Sequence, residues 1–589
     1  MASRKSLVWM YSIPSEDGKF VKCILCDSML SYNRSTSAIM KHLRGKHRDT
    51  FSNAAIEVFD FDANESATEQ SQGSNEACPR KKLQKMNTCT PKRQEEISQA
   101  LTRMISLNMM PISFCDSIGF QEFMAVLEPG YRCPCQKTII KRLQCLYNEK
   151  RTKIEKELSM ASYIAIASDG WSSRSQDSYI STTANFIDEK WVLKNYMLCT
   201  QLVEDRYTEE NLFIMFNMIN EEWPISGKVN SVVHDKTSNI GVTTKLLDGV
   251  RYNISCAAHI LQLCVKDAFN SVDRYQEVIQ KASQIVQYFH HSNVVTSYLI
   301  KKQKQLNLSE QKLVQNCPTK WSSSYYMCEQ LVSNRNAIVA VLTDRTITNL
   351  KTALKLELSD HHWSIMNDII TVLKPLQIAS TTLCSENSVT ISLVLPIVHG
   401  LINNHLKNND SDITETKHFK NILKASLVNR FNLDSRFETV HRIASFLDPR
   451  SKELSFESKE VRNVIKISVH DMMENILVSE TTENTNPFPS ALDFLYQAVN
   501  PSNDGNSEFE MYLEETQINH NLCPLMWWKI HEYKYPRLAK LAKMYLGIPA
   551  MSASSEYVLS TTGNISYKRN CLLPENVDLL VFLYKNKDI

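Results

Sequence analysis

The chain has 589 residues, of which 43% are hydrophobic and 22% are charged, and its formal net charge at pH 7 is +2. This composition excludes a mainly disordered chain and is typical of a soluble globular protein with room for several domains. Its 13 glycines are too few and too widely spaced for a phosphate-binding loop, and its apolar runs are too short to span a bilayer. We therefore expect no nucleotide cofactor and no membrane association.

The first chemical motif along the chain is a set of zinc-ligand side chains. Cys23, Cys26, His42 and His47 follow the spacing Cys-x2-Cys-x15-His-x4-His, which predicts a four-ligand zinc site. Four protein ligands leave no position open for water, so we expect one structural zinc ion that stabilises a short segment. The function of this segment must then lie in its surface.

That surface is basic, because residues 1–50 contain nine Lys or Arg and four Asp or Glu. A basic helix held by zinc suits the DNA major groove, with charged side chains on phosphates and short polar ones near base edges. The alternative is a protein-binding finger with a solvated basic face. The candidate DNA contacts are Asn33, Arg34, Ser35, Ser37, Lys41, Arg44 and Lys46.

The residues around the ligands carry a family resemblance. Ser6-Leu7-Val8-Trp9-Met10-Tyr11 before the cysteines, and Thr36, His42-Leu43 and His47 after them, resemble the BED-type zinc finger. BED fingers are DNA-binding modules of chromatin proteins and transposases. The resemblance therefore implies a finger over residues 1–55, double-stranded DNA as partner and the nucleus as location.

Residues 56–94 are predicted to form a flexible basic linker. The stretch 64–75 is polar and without periodicity, and basic clusters follow at 79–85 and 91–93. Such clusters are typical of nuclear import signals or of non-specific phosphate contacts. We expect a helical intermediate domain over residues 95–158.

A strand-rich pattern follows between residues 159 and 268. Two buried strands, 163–169 and 229–235, each end on a carboxylate, with alternating segments and a helix between them. If the first and fourth strands are neighbours, Asp169 and Asp235 lie side by side at one edge of the sheet. Paired carboxylates of this kind hold divalent metals in phosphoryl-transfer sites, whereas the alternative is that each caps the next turn or helix.

The acidic segments resemble those of hAT-family DNA transposases. The segments Ser168-Asp169-Gly170-Trp171-Ser172-Ser173 and 232–240 match the first and second acidic motifs, and 551–560 matches the third. The catalytic positions implied by the resemblance are Asp169, Asp235 and Glu556. Magnesium or manganese would be required only if these residues are active.

The resemblance also implies the architecture, a multidomain α+β protein. An RNase H-like α/β core begins over residues 159–268, and a large all-α insertion interrupts it over 269–507, with a polar loop near 480–507. Residues 508–589 return as the second part of the core and as a helical dimerisation region, which implies a homodimer or a higher homo-oligomer. Amphipathic helices predicted at 533–545 and 577–584 fit either dimerisation or an ordinary core.

Individual positions both match the family and depart from it. Trp321 falls where the family has a tryptophan that stabilises a flipped base, although a buried aromatic is the alternative. Lys320 replaces the usual Arg beside it, and the neighbours of Glu556 also differ. Cys256 and His259 match a family pair, which we interpret as packing or supporting residues, the alternative being a metal site.

We therefore weigh three functions. The first is a transposase-derived nuclear DNA-binding protein, a dimeric regulator of transcription or chromatin. The second is an active transposase in which the acidic residues hold two divalent metals. The third is a protein-interaction scaffold. The complete acidic set favours the second, and the altered surroundings of Lys320 and Glu556 favour the first.

Overall fold

The structure, a computed structural model, describes residues 12–15, 20–26, 28–31, 42, 46–47, 89–172, 177–203, 209–235, 250–317, 320–476, 505–552 and 574–589. These residues fall into two compact units, 1–86 and 87–589, each described here by itself. Most of the predicted loop at 480–507 and most of the predicted linker lie outside the described residues.

The N-terminal unit contains a small antiparallel sheet. Its strands run in the order β1 (Ser12–Pro14), β2 (Phe20–Cys23) and β3 (Met29–Ser31). Along β2, exposed and buried residues alternate, so that Val21 and Cys23 face inward. A cysteine thus ends the central strand on its buried face.

The second unit is built around a five-stranded mixed sheet. Its strands are β4 (Ile164–Ser172), β5 (Ser178–Ile187), β6 (Leu193–Val203), β7 (Val229–His234) and β8 (Tyr252–Ser255). Their order is β6-β5-β4-β7-β8, with antiparallel pairing from β6 to β4 and parallel pairing from β4 to β8. The first and fourth strands of this core, β4 and β7, are therefore neighbours.

Helices flank this sheet and fill the rest of the unit. Before and within the sheet region they are α1 (Pro91–Leu107), α2 (Ile118–Leu127), α3 (Gln136–Met160) and α4 (Glu209–Glu222). The following region contains α5 (Ala257–Asn270), α6 (Asp273–His291), α7 (Asn293–Gln305), α8 (Trp321–Ser333), α9 (Arg335–Thr343), α10 (Leu350–Leu356), α11 (Asp360–Leu383), α12 (Val394–Gly400), α13 (Thr414–Arg430), α14 (Val440–Leu447) and α15 (Lys459–Glu474). The last are α16 (Gly505–Glu514), α17 (Pro524–His531), α18 (Pro536–Leu546) and α19 (Pro574–Lys585).

Both faces of the sheet are covered, which explains its nearly continuous apolar strands. Along β4, Ile164 and Ile166 pack with α1, α3, α4 and α19 on one face. Ala165 and Ala167 face the other side, where α14, α15 and α18 supply the core. A third apolar cluster is formed by α5 to α13. The mixed α/β character of the prediction is confirmed, and most of the described residues are helical.

The start of α1 corrects the predicted end of the linker. Thr90 caps this helix, its hydroxyl accepting a hydrogen bond from the backbone N–H of Arg93 at 3.3 Å, and Pro91 occupies the first helical position. The helix therefore begins inside the range 56–94 that the composition assigned to the linker, because the basic residues obscured this capping signal.

The C-terminal segment returns to the sheet, as predicted. The end of α18 approaches β5 so closely that a Cβ on Gly547 would lie 3.4 Å from the Cα of Phe186. At the edge strand β6, the side-chain amide of Asn586 accepts from the N–H of Met197 at 3.1 Å and donates to its carbonyl at 2.9 Å. Helices α18 and α19 therefore bury their apolar faces in the core of one chain.

None of the helices in the described ranges combines the length and hydropathy needed to cross a membrane.

Candidate functional site

The zinc-ligand residues are positioned by a turn between two short strands. Cys23 ends β2, Cys26 lies in the turn that follows, and the N–H of Cys23 donates to the carbonyl of Ser28 at 2.9 Å, which closes the turn. His42 and Lys46 have helical backbone conformations, and His47 follows directly. The sequence spacing thus becomes a knuckle of cysteines that faces a pair of histidines.

The ligand atoms of Cys23, Cys26, His42 and His47 all lie within 4.8 Å of one another. The Sγ of Cys26 is 3.1 Å from the Nε2 of His42, and the two imidazole rings are 5.3 Å apart at their centres. A tetrahedral zinc ion holds sulfur and nitrogen ligands at about 2.0–2.3 Å, which requires this degree of convergence.

The chemistry of these residues also fits zinc. Hydrogen bonding from Ser28, with smaller contributions from His47 and His42, lowers the pKa of the Cys26 thiol to about 5. The Nε2 of His47 is buried and has no hydrogen-bond partner, which is costly unless the atom binds a ligand. A thiolate and an imidazole nitrogen that lacks a partner are the donors that zinc requires, and the four-residue set leaves no open position.

Of the candidate DNA contacts in the finger, Lys46 is exposed and lies next to the ligand His47. The other candidates lie outside the described residues: Asn33, Arg34, Ser35, Ser37, Lys41 and Arg44. Lys22, on β2, adds a second exposed positive charge. The described part of the finger thus presents lysines on its surface and zinc ligands inside.

The parallel pairing of β4 and β7 brings two predicted acidic residues together. Ser168 pairs with His234 at the last registered position, and Asp169 and Asp235 are the next residues on each chain segment. The prediction that both strands end on a carboxylate is wrong for Asp169, since β4 continues to Ser172 by pairing with β5. Asp169 is therefore buried at 2% exposure within a strand, whereas Asp235 follows the end of β7 and is partly exposed.

Asp235 is held by residues that are distant in sequence. Its Oδ1 accepts a hydrogen bond from the Ser552 hydroxyl at 3.0 Å, and its Oδ2 lies 3.9 Å from the Nδ1 of His259. The sequence did not single out Ser552, because no local pattern relates it to a strand end more than three hundred positions earlier. Glu556, the third predicted acid, lies outside the described residues.

Cys256 contacts both of the segments that meet at Asp235. Its backbone N–H donates to the carbonyl of His234 at 2.8 Å, and its Sγ accepts from the N–H of Ser552 at 3.4 Å. Burial, reinforced by the charge of Asp235, raises the pKa of the thiol to about 12, so the sulfur stays protonated. A protonated buried thiol is a poor metal ligand, and this geometry agrees with the interpretation of Cys256 as a packing residue.

The structure places Trp321 at the start of α8, with only 7% of its surface exposed. Its backbone N–H donates to the Oε1 of Gln262 at 2.8 Å, and it borders a groove of about 350 Å³. Gln262, Lys266, Gln276 and Gln280 also line this groove. Trp321 is thus both a core residue and one wall of this groove, and it lies more than 50 positions along the chain from Gln262.

One further group of possible metal ligands within the described residues was not predicted. His470, Asp471 and Glu474 on α15 place their ligand atoms within 4.8 Å of one another. They are adjacent in sequence on one helix, and the two acids are exposed. This is an ordinary arrangement for a solvated helix surface, so we assign it no function.

Four family models match the chain. They are described as BED zinc finger (residues 6–48), ZBED1 RNase-like domain (167–260), ZBED1 RNase-like helical domain (254–372) and hAT family C-terminal dimerisation region (508–586). The first contains the zinc-ligand set, the second contains Asp169 and Asp235, and the last contains Ser552.

Individual proteins with BED-finger or transposase names also match most of this chain. Zinc finger BED domain-containing protein 4 of Homo sapiens is 24% identical over 99% of this chain and 52% of its own length. A Zea mays protein named, provisionally, as an AC transposase is 23% identical over 84% of this chain and 66% of its own. Zinc finger BED domain-containing protein RICESLEEPER 1 of Oryza sativa subsp. japonica is 23% identical over 83% of this chain and 74% of its own length. The chain spans about half to three quarters of the length of these relatives.

Proposed function

We propose that this chain is a zinc-dependent DNA-binding protein of the nucleus, because it matches a BED zinc finger, ZBED1-type RNase-like domains and an hAT dimerisation region. In this proposal, it acts as a dimeric regulator of transcription or chromatin and derives from an hAT transposase. The finger finds the DNA site, and the larger unit supplies the dimer.

The observation that carries the proposal is the convergence of Cys23, Cys26, His42 and His47 within 4.8 Å. A closed zinc site of this kind cannot activate water, so its contribution is the surface that it stabilises. That surface carries the exposed Lys22 and Lys46 in a segment with an excess of basic residues. Positive charge of this kind favours binding to phosphates.

We assign the dimer contact to α17. The other helices of the matched dimerisation region bury their apolar faces inside one chain, whereas Met526 and Ile530 on α17 are 54% and 74% exposed, and Tyr533 beyond it is 99% exposed. Spacings of four and three residues place these side chains on one face. A dimer through this face would carry two fingers, which raises affinity for paired half-sites by effective concentration.

An active transposase is the second candidate, and the adjacent positions of Asp169 and Asp235 favour it. Carboxylates on neighbouring strands can hold magnesium or manganese, with Glu556 as third ligand. Against this candidate, Lys320 stands where the active family has Arg, and the neighbours of Glu556 also differ from the family pattern. We therefore keep DNA binding without strand cleavage as the primary function.

The test compares two cysteine substitutions in the full chain. A DNA site is first selected from a random duplex pool with the wild-type protein, and binding is then measured for Cys26→Ser and for Cys145→Ser. Cys145 is an exposed free thiol on α3, in the larger unit, and serves as the matched control. We expect Cys26→Ser to lose site-specific binding and bound zinc, and Cys145→Ser to keep both.

Retention of site-specific binding by Cys26→Ser would overturn the proposal. Failure of the wild-type protein to select any site, with the dimer intact, would instead favour the interaction scaffold. Light scattering on each variant establishes that the oligomer is unchanged, so a loss of binding is attributed to the finger.

A further inference from the structure

Helix α7 lies in a part of the chain that is free of acidic residues. Between Glu277 and Glu310 the sequence contains no Asp or Glu, whereas Lys281, Lys301, Lys302 and Lys304 are all present. All formal charges within this stretch, which includes the whole of α7, are therefore positive. This pattern suggests a surface shaped for an anionic partner.

The orientation of α7 concentrates this charge on one side. Val295, Leu299 and Gln303 are buried against the rest of the insertion. Asn293, Ser297, Lys301 and Lys304 are exposed, and their spacing of four, four and three residues forms one stripe along the helix. We call these four exposed residues the α7 stripe.

The lysines of the α7 stripe have no competing carboxylate among the described residues. Neither Lys301 nor Lys304 forms an ion pair there, in contrast to Lys153, which pairs with Glu149 at 2.9 Å. The Nζ of Lys301 lies 4.9 Å from the centre of the Tyr298 ring. Lys302 is different because its charge acts on Asp344, whose pKa it helps to lower, and we do not count it in the stripe.

A buried amide fixes the rotation of α7. The Nε2 of Gln303 donates to the carbonyl of Gln311 and to the Oδ1 of Asn334, both at 3.0 Å, and its Oε1 accepts from the N–H of Gln311 at 3.2 Å. His290 contacts the carbonyl of Leu313 at 2.7 Å. The helix and the loop beside it are thus held together, which keeps Lys301 and Lys304 on the solvent side.

We infer that the α7 stripe is a second DNA-contact surface, which binds the phosphate backbone of duplex DNA without reading its sequence. Lys301 and Lys304 are about 4.5 Å apart along the helix axis, and each strand of duplex DNA carries about one phosphate per 3.4 Å along its axis, so both lysines can contact phosphates of one strand. This inference rests on the proposed function only in taking DNA as the polyanion. The contact does not require the finger.

The experiment measures binding of the full chain to a duplex of unrelated sequence over a range of salt concentrations. The variant is Lys301→Gln/Lys304→Gln, and the control is Lys153→Gln/Lys156→Gln, which removes the same charge from exposed positions of α3. Both pairs are also made in the Cys26→Ser background. Because both targets are exposed, circular dichroism and the melting temperature should match those of the wild type.

We expect the α7 variant to bind the duplex at least about tenfold more weakly at low salt, and its log–log salt slope to fall by about two. The control should change affinity by less than about twofold. The effect should persist in the Cys26→Ser background, which separates it from any failure of the finger proposal. Equal weakening by both pairs, or no weakening by the α7 pair, would overturn the inference.

Discussion

The hydroxyl of Ser552 donates a hydrogen bond of 3.0 Å to the carboxylate of Asp235, a residue 317 positions earlier in the chain. The same serine donates its backbone N–H to the sulfur of Cys256. Through these contacts the segment that follows α18 is attached to the end of β7. The acidic strand end and the C-terminal region therefore form one structural site.

Loss of the Ser552 hydroxyl should weaken this attachment. We expect Ser552→Ala to lower the free energy of unfolding by about 1 kcal/mol, because the Asp235 oxygen loses a part-buried hydrogen bond. Hydrogen exchange should increase at residues 550–552 and at the end of β7. Ser159→Ala, at an exposed serine whose hydroxyl donates to Lys156 of the same helix, is the control and should change stability by less than about 0.5 kcal/mol. Equal effects of the two substitutions would contradict the assigned role of Ser552.

DNA cleavage by the purified chain should be weak or absent in magnesium or manganese. The reason is that the sequence around Lys320 and Glu556 departs from the pattern of the active family. The measurement is nicking of supercoiled DNA, with Asp169→Asn as the comparison. Robust cleavage by the wild type that disappears in Asp169→Asn would establish the transposase instead.

The dimer should depend on the exposed face of α17. We expect Ile530→Asp to weaken the dimer by about 2 kcal/mol, the cost of placing an unpaired charge at the centre of an apolar contact. Ile467→Asp is the matched control, since Ile467 is 62% exposed but lies outside the matched dimerisation region. Sedimentation equilibrium measures both. If Ile530→Asp has the same dimer dissociation constant as the wild type, the dimer contact lies elsewhere.

The pH dependence of stability should reflect Asp578 on α19. Burial raises the pKa of this carboxyl from 3.8 to about 6, partly opposed by its hydrogen bond from the N–H of Thr200 at 2.6 Å. A raised carboxyl pKa means that the folded state holds its proton more tightly, so this group lowers stability as pH rises through that interval.

Asp578→Asn removes the titration but keeps an oxygen that can accept from Thr200. We therefore expect the melting temperature of the variant, relative to the wild type, to increase between pH 4 and pH 7. Asp588→Asn, at an exposed carboxyl near Asp578 in the sequence, is a suitable reference. A melting-temperature difference that is independent of pH would contradict the role of Asp578.

Local sequence patterns predicted the strands well because a covered sheet requires continuous apolar runs, as at 163–169 and 229–235. They failed at Asp169, which looks like the end of a strand although antiparallel pairing with β5 extends β4 to Ser172. The spacing of Cys23, Cys26, His42 and His47 was sufficient for the metal centre, because one ion imposes its geometry on a short segment.

Contacts between distant segments could not be predicted in this way. The hydrogen bonds from Ser552 to Asp235 and from Trp321 to Gln262 depend on the packing of whole helices, which leaves no periodic signal in sequence. The amphipathic patterns of α18 and α19 were equally compatible with a dimer contact and with a core. Only the sheet against which they pack decides in favour of the core.

Gly547 packs on β5 and Asn586 bonds to β6, so residues far downstream of the strands complete the sheet during synthesis on the ribosome. Strands β4 to β8 emerge early, yet one edge and part of each face stay uncovered until residues 536–586 have been made. Helices α5 to α13, which form a cluster of their own, can fold in the meantime. The nascent sheet therefore exposes apolar surface during this interval. We expect chaperones to bind the growing chain at this stage.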